Sequence, residues 1–358
     1  MDNKDEIKRL EEEIRTTKYN KHTQYHIGQL KAKLARLKEQ RGKLGKIGSG
    51  GRAYSIKKSG DATVLIVGFP SVGKSTLLNR ITNAESKIGD YDFTTLDIIP
   101  GVMEHNSARI QVLDVPGIVE GASSGRGRGK KILSVVRNAD LVLILIEKQE
   151  QLDVIKRELY EAGLRLDEKR PDVVITKTHS GGIRIGSTVK LTKIDSKMVG
   201  IVLNERGIHN AEILIREDIS LDMLIDAVYK NRVYVPSIVA YNKIDLLPDE
   251  KRESLPKEFI RISSKEGTGI EDLKNRIWRK LGLIRICMKK IGKEPDMEEP
   301  LIMESGSTVE DVARKIHKEF QRKLEYAKIW GPSAKFPGQK VGVNKTLQDR
   351  DIVELHME

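Results

Sequence analysis

The chain has 358 residues, of which 38% are hydrophobic, 32% charged and only 4% aromatic, with a single cysteine, Cys287. That length calls for two or three domains, and one cysteine excludes an internal disulfide or a cysteine-built zinc site and fits a reducing, cytoplasmic setting. The net charge is +12, and residues 1–60 hold 16 Lys and Arg against 7 Asp and Glu, or +9; this asymmetry suits an anionic partner such as RNA, or a plain solvated helical face.

Residues 1–60 read as a basic helical region. Ile7, Leu10 and Ile14, then Ile27, Leu30, Leu34 and Leu37, recur at helical spacing. A break around Thr23–Gly28 makes them a hairpin of two helices, and Gly42, Gly45, Gly48, Gly50 and Gly51 mark a boundary. No apolar leader opens the chain, and its longest apolar run, Leu141–Ile146, is too short to span a membrane.

Residues 61–164 carry near-continuous aliphatic runs at Thr63–Val67, Ile110–Leu113 and Leu141–Ile146, the pattern of buried parallel strands. Their alternation with helices predicts a doubly wound, mostly parallel α/β domain within a multidomain α/β chain. The next such run, Val235–Ala240, comes roughly 90 residues later, where a βαβ unit needs only about 30. Residues 165–232 are therefore expected to be an inserted α+β module. Its expected strands are Val173–Thr176, Ile183–Ile185, Val199–Val202 and Glu212–Ile215, with a helix at Leu221–Tyr229. The α/β domain resumes over residues 233–283 and closes on a helix near 270–281. Residues 284–358 begin afresh. A strand at Leu301–Met303, a capping-box pattern of Ser307 and Glu310 before a helix over Thr308–Leu324, and strands at 327–330 and 351–355 predict a small β-grasp module.

The strongest chemical signal is Gly68-Phe69-Pro70-Ser71-Val72-Gly73-Lys74-Ser75, which fits G-x-x-x-x-G-K-[ST] at every fixed position between a strand and a helix. The loop is read as a phosphate cradle of Gly68, Pro70, Ser71, Val72, Gly73, Lys74, Ser75 and Thr76. Backbone N–H groups of Val72 to Ser75 point at phosphate from a helix N-terminus. Lys74 reaches the β- and γ-phosphates and the Ser75 hydroxyl ligates Mg²⁺.

Asp114-Val115-Pro116-Gly117 ends the run Ile110–Leu113, so Asp114 takes the strand-tip position that holds Mg²⁺ through water, and Gly117 lets its N–H approach a γ-phosphate. In Tyr91-Asp92-Phe93-Thr94-Thr95, Thr95 is chosen over Thr94 to reach Mg²⁺ and sense the γ-phosphate. The expected catalytic set is Lys74, Thr95 and Gly117, and the metal set Ser75, Thr95 and Asp114. Asn242-Lys243-Ile244-Asp245 follows an aliphatic strand, and Asp245 there can accept bonds from guanine N1–H and its 2-amino group, a donor pair adenine lacks. Thr192-Lys193-Ile194-Asp195 has a similar spelling but lies inside the insert after alternating residues, so it is read as structural. Ser263, Ser264 and Lys265 fit the loop whose backbone N–H contacts guanine O6.

Together these elements resemble a translation-factor-class GTPase. The phosphate loop, Tyr91–Thr95, Asp114–Gly117 and the stretch Gly121–Gly129 resemble the Obg-like family. The basic N-terminal helices, the insert and the C-terminal module are similar to its developmentally regulated GTP-binding protein branch, in which the last module is a TGS domain. Leu347–Leu355 looks like the final turn and strand of that domain. The resemblance implies hydrolysis of GTP to GDP and phosphate, and a link to ribosomes or RNA in translation, with an activating partner protein. Ile118 stands where small signalling GTPases place a water-orienting Gln, which implies slow intrinsic turnover. Some related GTPases also use K⁺, often with an Asn of the phosphate loop; Ser71 holds that place here. Gly125–Lys131 is an RNA contact, a presentation of Arg to phosphate, or a solvated loop. The rival readings are a P-loop ATPase or kinase, and an RNA-binding scaffold that holds nucleotide with little turnover.

Overall fold

In a computed structural model of the chain, residues 3–18, 20, 22–47, 60–82, 99–114, 139–230 and 232–358 are described. The N-terminal helices are α1 (Asn3–Thr16) and α2 (Gln24–Ile47). There follow β1 (Ala62–Gly68), α3 (Lys74–Ile81), β2 (Ile99–His105), β3 (Ala108–Asp114), β4 (Leu141–Ile146) and α4 (Glu150–Glu161). Next come β5 (Leu164–Leu166), β6 (Val173–Lys177), β7 (Ile183–Ser187), α5 (Ser196–Glu205), β8 (Ala211–Ile215), α6 (Leu221–Tyr229) and β9 (Val233–Val235). Then β10 (Ser237–Tyr241), α7 (Asp249–Glu253), β11 (Ile260–Arg261) and α8 (Ile270–Leu281) lead to β12 (Leu283–Met288) and β13 (Leu301–Glu304). The chain ends with α9 (Val309–Ile316), α10 (Lys318–Lys323), β14 (Leu324–Trp330), β15 (Gln339–Val341) and β16 (Asp351–Met357).

The described residues fall into two compact units. One takes in α1, α2 and Ala162–Tyr234; the other holds the described residues between Ile56 and Glu161 and those from Val235 onward.

In the second unit a six-stranded sheet runs β11-β10-β4-β1-β3-β2. Every pairing is parallel except β2 with β3. The aliphatic runs dictate this: Val64–Val67 and Leu141–Ile146 are fully buried, as strands covered on both faces must be. The fold is thus the doubly wound α/β class expected. β3 lies on one side of β1 and β4 on the other, so the winding reverses at β1. Open α/β sheets take their ligands where loops diverge at such a reversal, beyond the carboxyl ends of the strands.

Some elements differ from expectation. β2 is additional: Asn106 and Ser107 both have positive φ, at 50° and 66°, and close a two-residue hairpin with β3. The run Val235–Ala240 becomes β9 and β10, because Pro236, which has no N–H for a sheet ladder, stands between them.

In the first unit α1 and α2 form the expected hairpin, but the break lies at residues 17–23. Asn20 and Thr23 bond reciprocally, each backbone N–H to the other's side chain at 3.0 Å, and start the helix there. Gly28 therefore sits inside α2, where a Cβ would lie 2.3 Å from Met198 Sδ, so a side chain there would push the methionine aside. Val199–Val202, expected as a strand, is helical. Asp195 caps α5 by accepting from Met198 N at 2.8 Å, and Met198, Val199, Val202 and Leu203 form one buried face. Ala32 and Ala35 join that core, and the Tyr229 hydroxyl donates to Ala32 O at 2.9 Å. Many hairpin charges are paired within the unit: Lys31 with Asp222, Lys33 with Glu6, Arg36 with Glu205, Lys38 with Glu11 and Glu39 with Arg206.

The C-terminal part of the second unit is a five-stranded sheet, β13-β12-β16-β14-β15, with β12 and β16 parallel. α9 covers one face through Val309 and Val312. The capping box falls one residue later than expected, on Thr308 and Asp311. The single helix expected over Thr308–Leu324 is split at His317, whose backbone is extended and whose Nδ1 accepts from Glu319 N at 3.2 Å to begin α10. β12 and β15 are additional to the expected strands.

Candidate functional site

Four segments converge beyond the carboxyl ends of β1, β3, β10 and β11. The loop after β1 runs Phe69–Gly73 into α3. Ser71 holds a positive φ of 61°, uncommon for a residue with a side chain and a feature of tightly wound functional loops. Gly73 caps α3 at φ 97°, and a Cβ on it would lie 2.4 Å from Asn242 Nδ2. Glycine here meets both a backbone demand and a close approach.

Asn242 is the fastener of the site. Its Nδ2 donates to Val72 O at 2.8 Å. Its Oδ1 accepts from Ser264 N and Ser264 Oγ, each at 2.9 Å. One buried amide thus ties the loop after β1 to the loop after β11.

The Lys74 ammonium donates to the carbonyls of Gly68 (3.1 Å) and Phe69 (2.9 Å), curling back over the loop mouth. Asp114, at the tip of β3, accepts from Ser75 Oγ through Oδ2 at 3.2 Å. Its Oδ1 is buried and has no hydrogen-bond partner among the described residues. Burial pushes the Asp114 carboxyl up, against the opposing pull of Lys74 and the Ser75 bond. A carboxylate oxygen orphaned beside a serine hydroxyl fits a hydrated hard cation, which would satisfy that oxygen and offset its burial.

On the other side, Lys243 has φ 61° and its ammonium pairs with Glu147 Oε2 at 2.5 Å. Asp245 lies in the middle of a single 3₁₀ turn, Ile244–Leu246, braced by Arg252 Nε on Ile244 O at 2.8 Å. Among the described residues no group bonds the Asp245 carboxylate, which is half-buried. Ser263 and Ser264 are buried in their turn, with Ser263 Oγ accepting from Glu266 N at 3.1 Å.

Residues 63–177 match the family described as 50S ribosome-binding GTPase, residues 180–283 the C-terminal region of MMR_HSR1 domain, and residues 284–357 the TGS domain. The chain is 52% identical to a GTP-binding protein of Methanocaldococcus jannaschii, over 98% of this chain and 92% of that one. It is 45% identical to GTP-binding protein 1 of Schizosaccharomyces pombe and 40% identical to Developmentally-regulated GTP-binding protein 2 of Homo sapiens, over 98% of both chains in each case. The chain belongs to this family of GTP-binding proteins.

In this GTP-binding protein the site brings together Gly68, Pro70, Ser71, Val72, Gly73, Lys74, Ser75 and Thr76 with Asp114, Asn242, Lys243, Asp245, Ser263, Ser264 and Lys265. Thr95 and Gly117 lie outside the described residues, as do Ile118 and the glycine-rich stretch 121–129. Asp195 is a helix cap that also accepts from the Tyr25 hydroxyl. Two site residues carry no sequence signal. Glu147 follows β4 and pairs with Lys243. Arg80, in the last turn of α3, donates to the loop holding Ser264 and Lys265. No helix among the described residues is long and apolar enough to cross a membrane.

Proposed function

We propose that this GTP-binding protein hydrolyses GTP to GDP and phosphate with Mg²⁺, as a slow cytoplasmic switch of the Obg-like translation-factor class acting at the ribosome. The observation that carries the reading is Asp114, with one oxygen on Ser75 and the other buried and without a partner among the described residues, at the foot of the phosphate loop. Ser75 and Asp114, with Thr95, would hold the metal. When bound, Mg²⁺ neutralises charge on the β- and γ-phosphate oxygens.

The chain's own residues do the rest. Backbone N–H groups at the start of α3 bind phosphate oxygens. Lys74 exchanges its carbonyl partners for the β- and γ-phosphates and stabilises charge that develops as water attacks in line. Asp245 accepts from guanine N1–H and the 2-amino group, which favours guanine over adenine and so disfavours the ATPase reading. Thr95 and Gly117 would contact the γ-phosphate, and the inserted module and the TGS domain would present that state to a partner. Ribosome association is supported by the description of the matched GTPase family. RNA contact by the hairpin falls to charges other than Lys31, Lys33, Arg36 and Lys38, which are paired.

Phosphate release measured with MgGTP, with ribosomes added and with EDTA tests the proposal. Turnover should require Mg²⁺, rise with ribosomes and vanish in Lys74→Ala. Tight GTP binding with no release in any condition would leave the nucleotide-holding scaffold as the better reading.

A further inference from the structure

We infer that Arg80, which belongs to no nucleotide motif, is the positioning residue that aims the base-reading loop; this rests on the guanine reading of the site. Arg80 Nε donates to the Ser264 carbonyl at 3.3 Å, and a terminal guanidinium nitrogen donates to the Lys265 carbonyl. The guanidinium carbon also lies 3.7 Å from the point where a side chain on Gly267 would begin. These bonds carry a full positive charge on the donor, so they are stronger than neutral ones.

Their consequence follows from peptide geometry. In a trans peptide the C=O and the following N–H point in opposite directions within one plane. Drawing the Ser264 carbonyl towards α3 therefore turns the Lys265 N–H the other way. The neighbouring N–H groups are already committed. Ser264 N donates to Asn242 Oδ1 at 2.9 Å, and Glu266 N to Ser263 Oγ at 3.1 Å. The Lys265 N–H has no acceptor among the described residues. A lone, oriented donor one residue beyond the Ser264 that Asn242 holds suits a carbonyl acceptor at purine position 6, which guanine has. It gives nothing to the 6-amino group of adenine. Asn242 fixes the peptide before Ser264; Arg80 fixes the one after it. α3 thus carries the phosphate loop at its start and the brace of the base loop at its end.

The test compares GTP, ATP and 6-thioguanosine triphosphate, which keeps N1–H and the 2-amino group but replaces O6 with the weakly accepting sulfur. Dissociation constants are measured for the full chain, Arg80→Ala and Arg80→Lys, with melting temperatures. Losing one aimed hydrogen bond should weaken GTP roughly 3- to 10-fold in Arg80→Ala. The 6-thio analogue should change little, so the two affinities converge; Arg80→Lys should fall between. A loosened helix would weaken both nucleotides alike and leave their ratio intact. An unmodified chain that prefers GTP to ATP, with an unaltered GTP to 6-thio ratio in Arg80→Ala, overturns the role of Arg80 alone. An unmodified chain that binds ATP as tightly as GTP overturns the base reading and this inference with it.

Discussion

Asn242 Oδ1 accepts from both the backbone N–H and the hydroxyl of Ser264, each at 2.9 Å. With Nδ2 on Val72 O, that amide holds two loops in one arrangement before any nucleotide arrives. Asn242→Ala would leave the Val72 carbonyl and the Ser264 donors without their partner in a buried setting. The expected loss is about 2–3 kcal/mol of stability together with weaker GTP binding. Ser264→Ala removes only the hydroxyl bond and should cost about 1 kcal/mol. Urea unfolding with and without nucleotide checks both; equal, small effects would show that the amide is not the fastener.

The Asp245 carboxylate is half-buried and has no partner among the described residues. Asp245→Asn reverses one donor–acceptor relation with the base, so GTP affinity should fall and xanthosine triphosphate affinity should rise. Competition against a fluorescent guanine nucleotide measures the exchange. A variant that loses GTP without gaining the xanthine analogue would assign Asp245 to loop structure instead.

The sheet and the phosphate loop were legible because their signals are local. Leu141–Ile146 is aliphatic at every position, and Gly68–Ser75 fixes its residues within one turn. β2 is hard to see in the sequence because its hydrophobic pattern is broken by Pro100 and Gly101, and only the Asn106-Ser107 turn signals its hairpin. Val199–Val202 reads equally as strand or helix, because four residues cannot separate a buried helix face from a strand. The signal that favours the helix is Asp195 at its N-cap. Arg80 and Glu147 were not legible at all, since their partners lie 184 and 96 residues away in sequence and only the fold joins them.

Ile118 has no polar atom with which to orient water, so basal turnover should lie well below the roughly 1–100 s⁻¹ typical of protein kinases. Potassium in place of sodium should raise it if the chain recruits K⁺ near Ser71, and an activating partner or ribosomes should raise it further. Single-turnover hydrolysis in the two salts is the measurement. Rapid hydrolysis by the isolated chain in sodium would show that another group positions the water.

In the TGS domain, Thr308 N and Oγ both donate to Asp311 Oδ2 at 2.9 Å, and Asp311 N donates to Thr308 Oγ at 3.3 Å. The backbone bond from Thr308, helped by its hydroxyl and by Arg314, holds the Asp311 carboxyl below its usual range. A depressed carboxylate contributes stability that is complete above its unfolded pKa and lost as pH falls through the lower folded value. Thr308→Ala should cost about 1 kcal/mol at pH 7. The gap between the unmodified chain and Asp311→Asn should narrow as pH drops below about 3.9. Thermal melts across that range check the sign; a gap that widens in acid would contradict it.

The N-terminal hairpin joins its charge to a core. Ala32 and Ala35 pack with Met198, Val199 and Val202, and Lys31 and Arg36 pair with Asp222 and Glu205. Deleting residues 1–45 should therefore lower the melting temperature whether or not RNA binds there, so truncation alone cannot identify an RNA surface. Charge substitution can. Lys33 and Lys38 are neutralised by Glu6 and Glu11 across the hairpin, so Lys33→Gln with Lys38→Gln should loosen the hairpin but leave the salt dependence of RNA binding nearly unchanged. Arg41, Lys43 and Lys46 have side chains outside the described ones. If they meet RNA phosphates, replacing all three by Gln should flatten the slope of log K against log salt by about 2, since each single-strand phosphate contact contributes about 0.7. A salt titration of RNA binding for both variants separates the readings. An unchanged slope in the triple variant would show that the +9 of residues 1–60 serves the hairpin and its ion pairs rather than RNA.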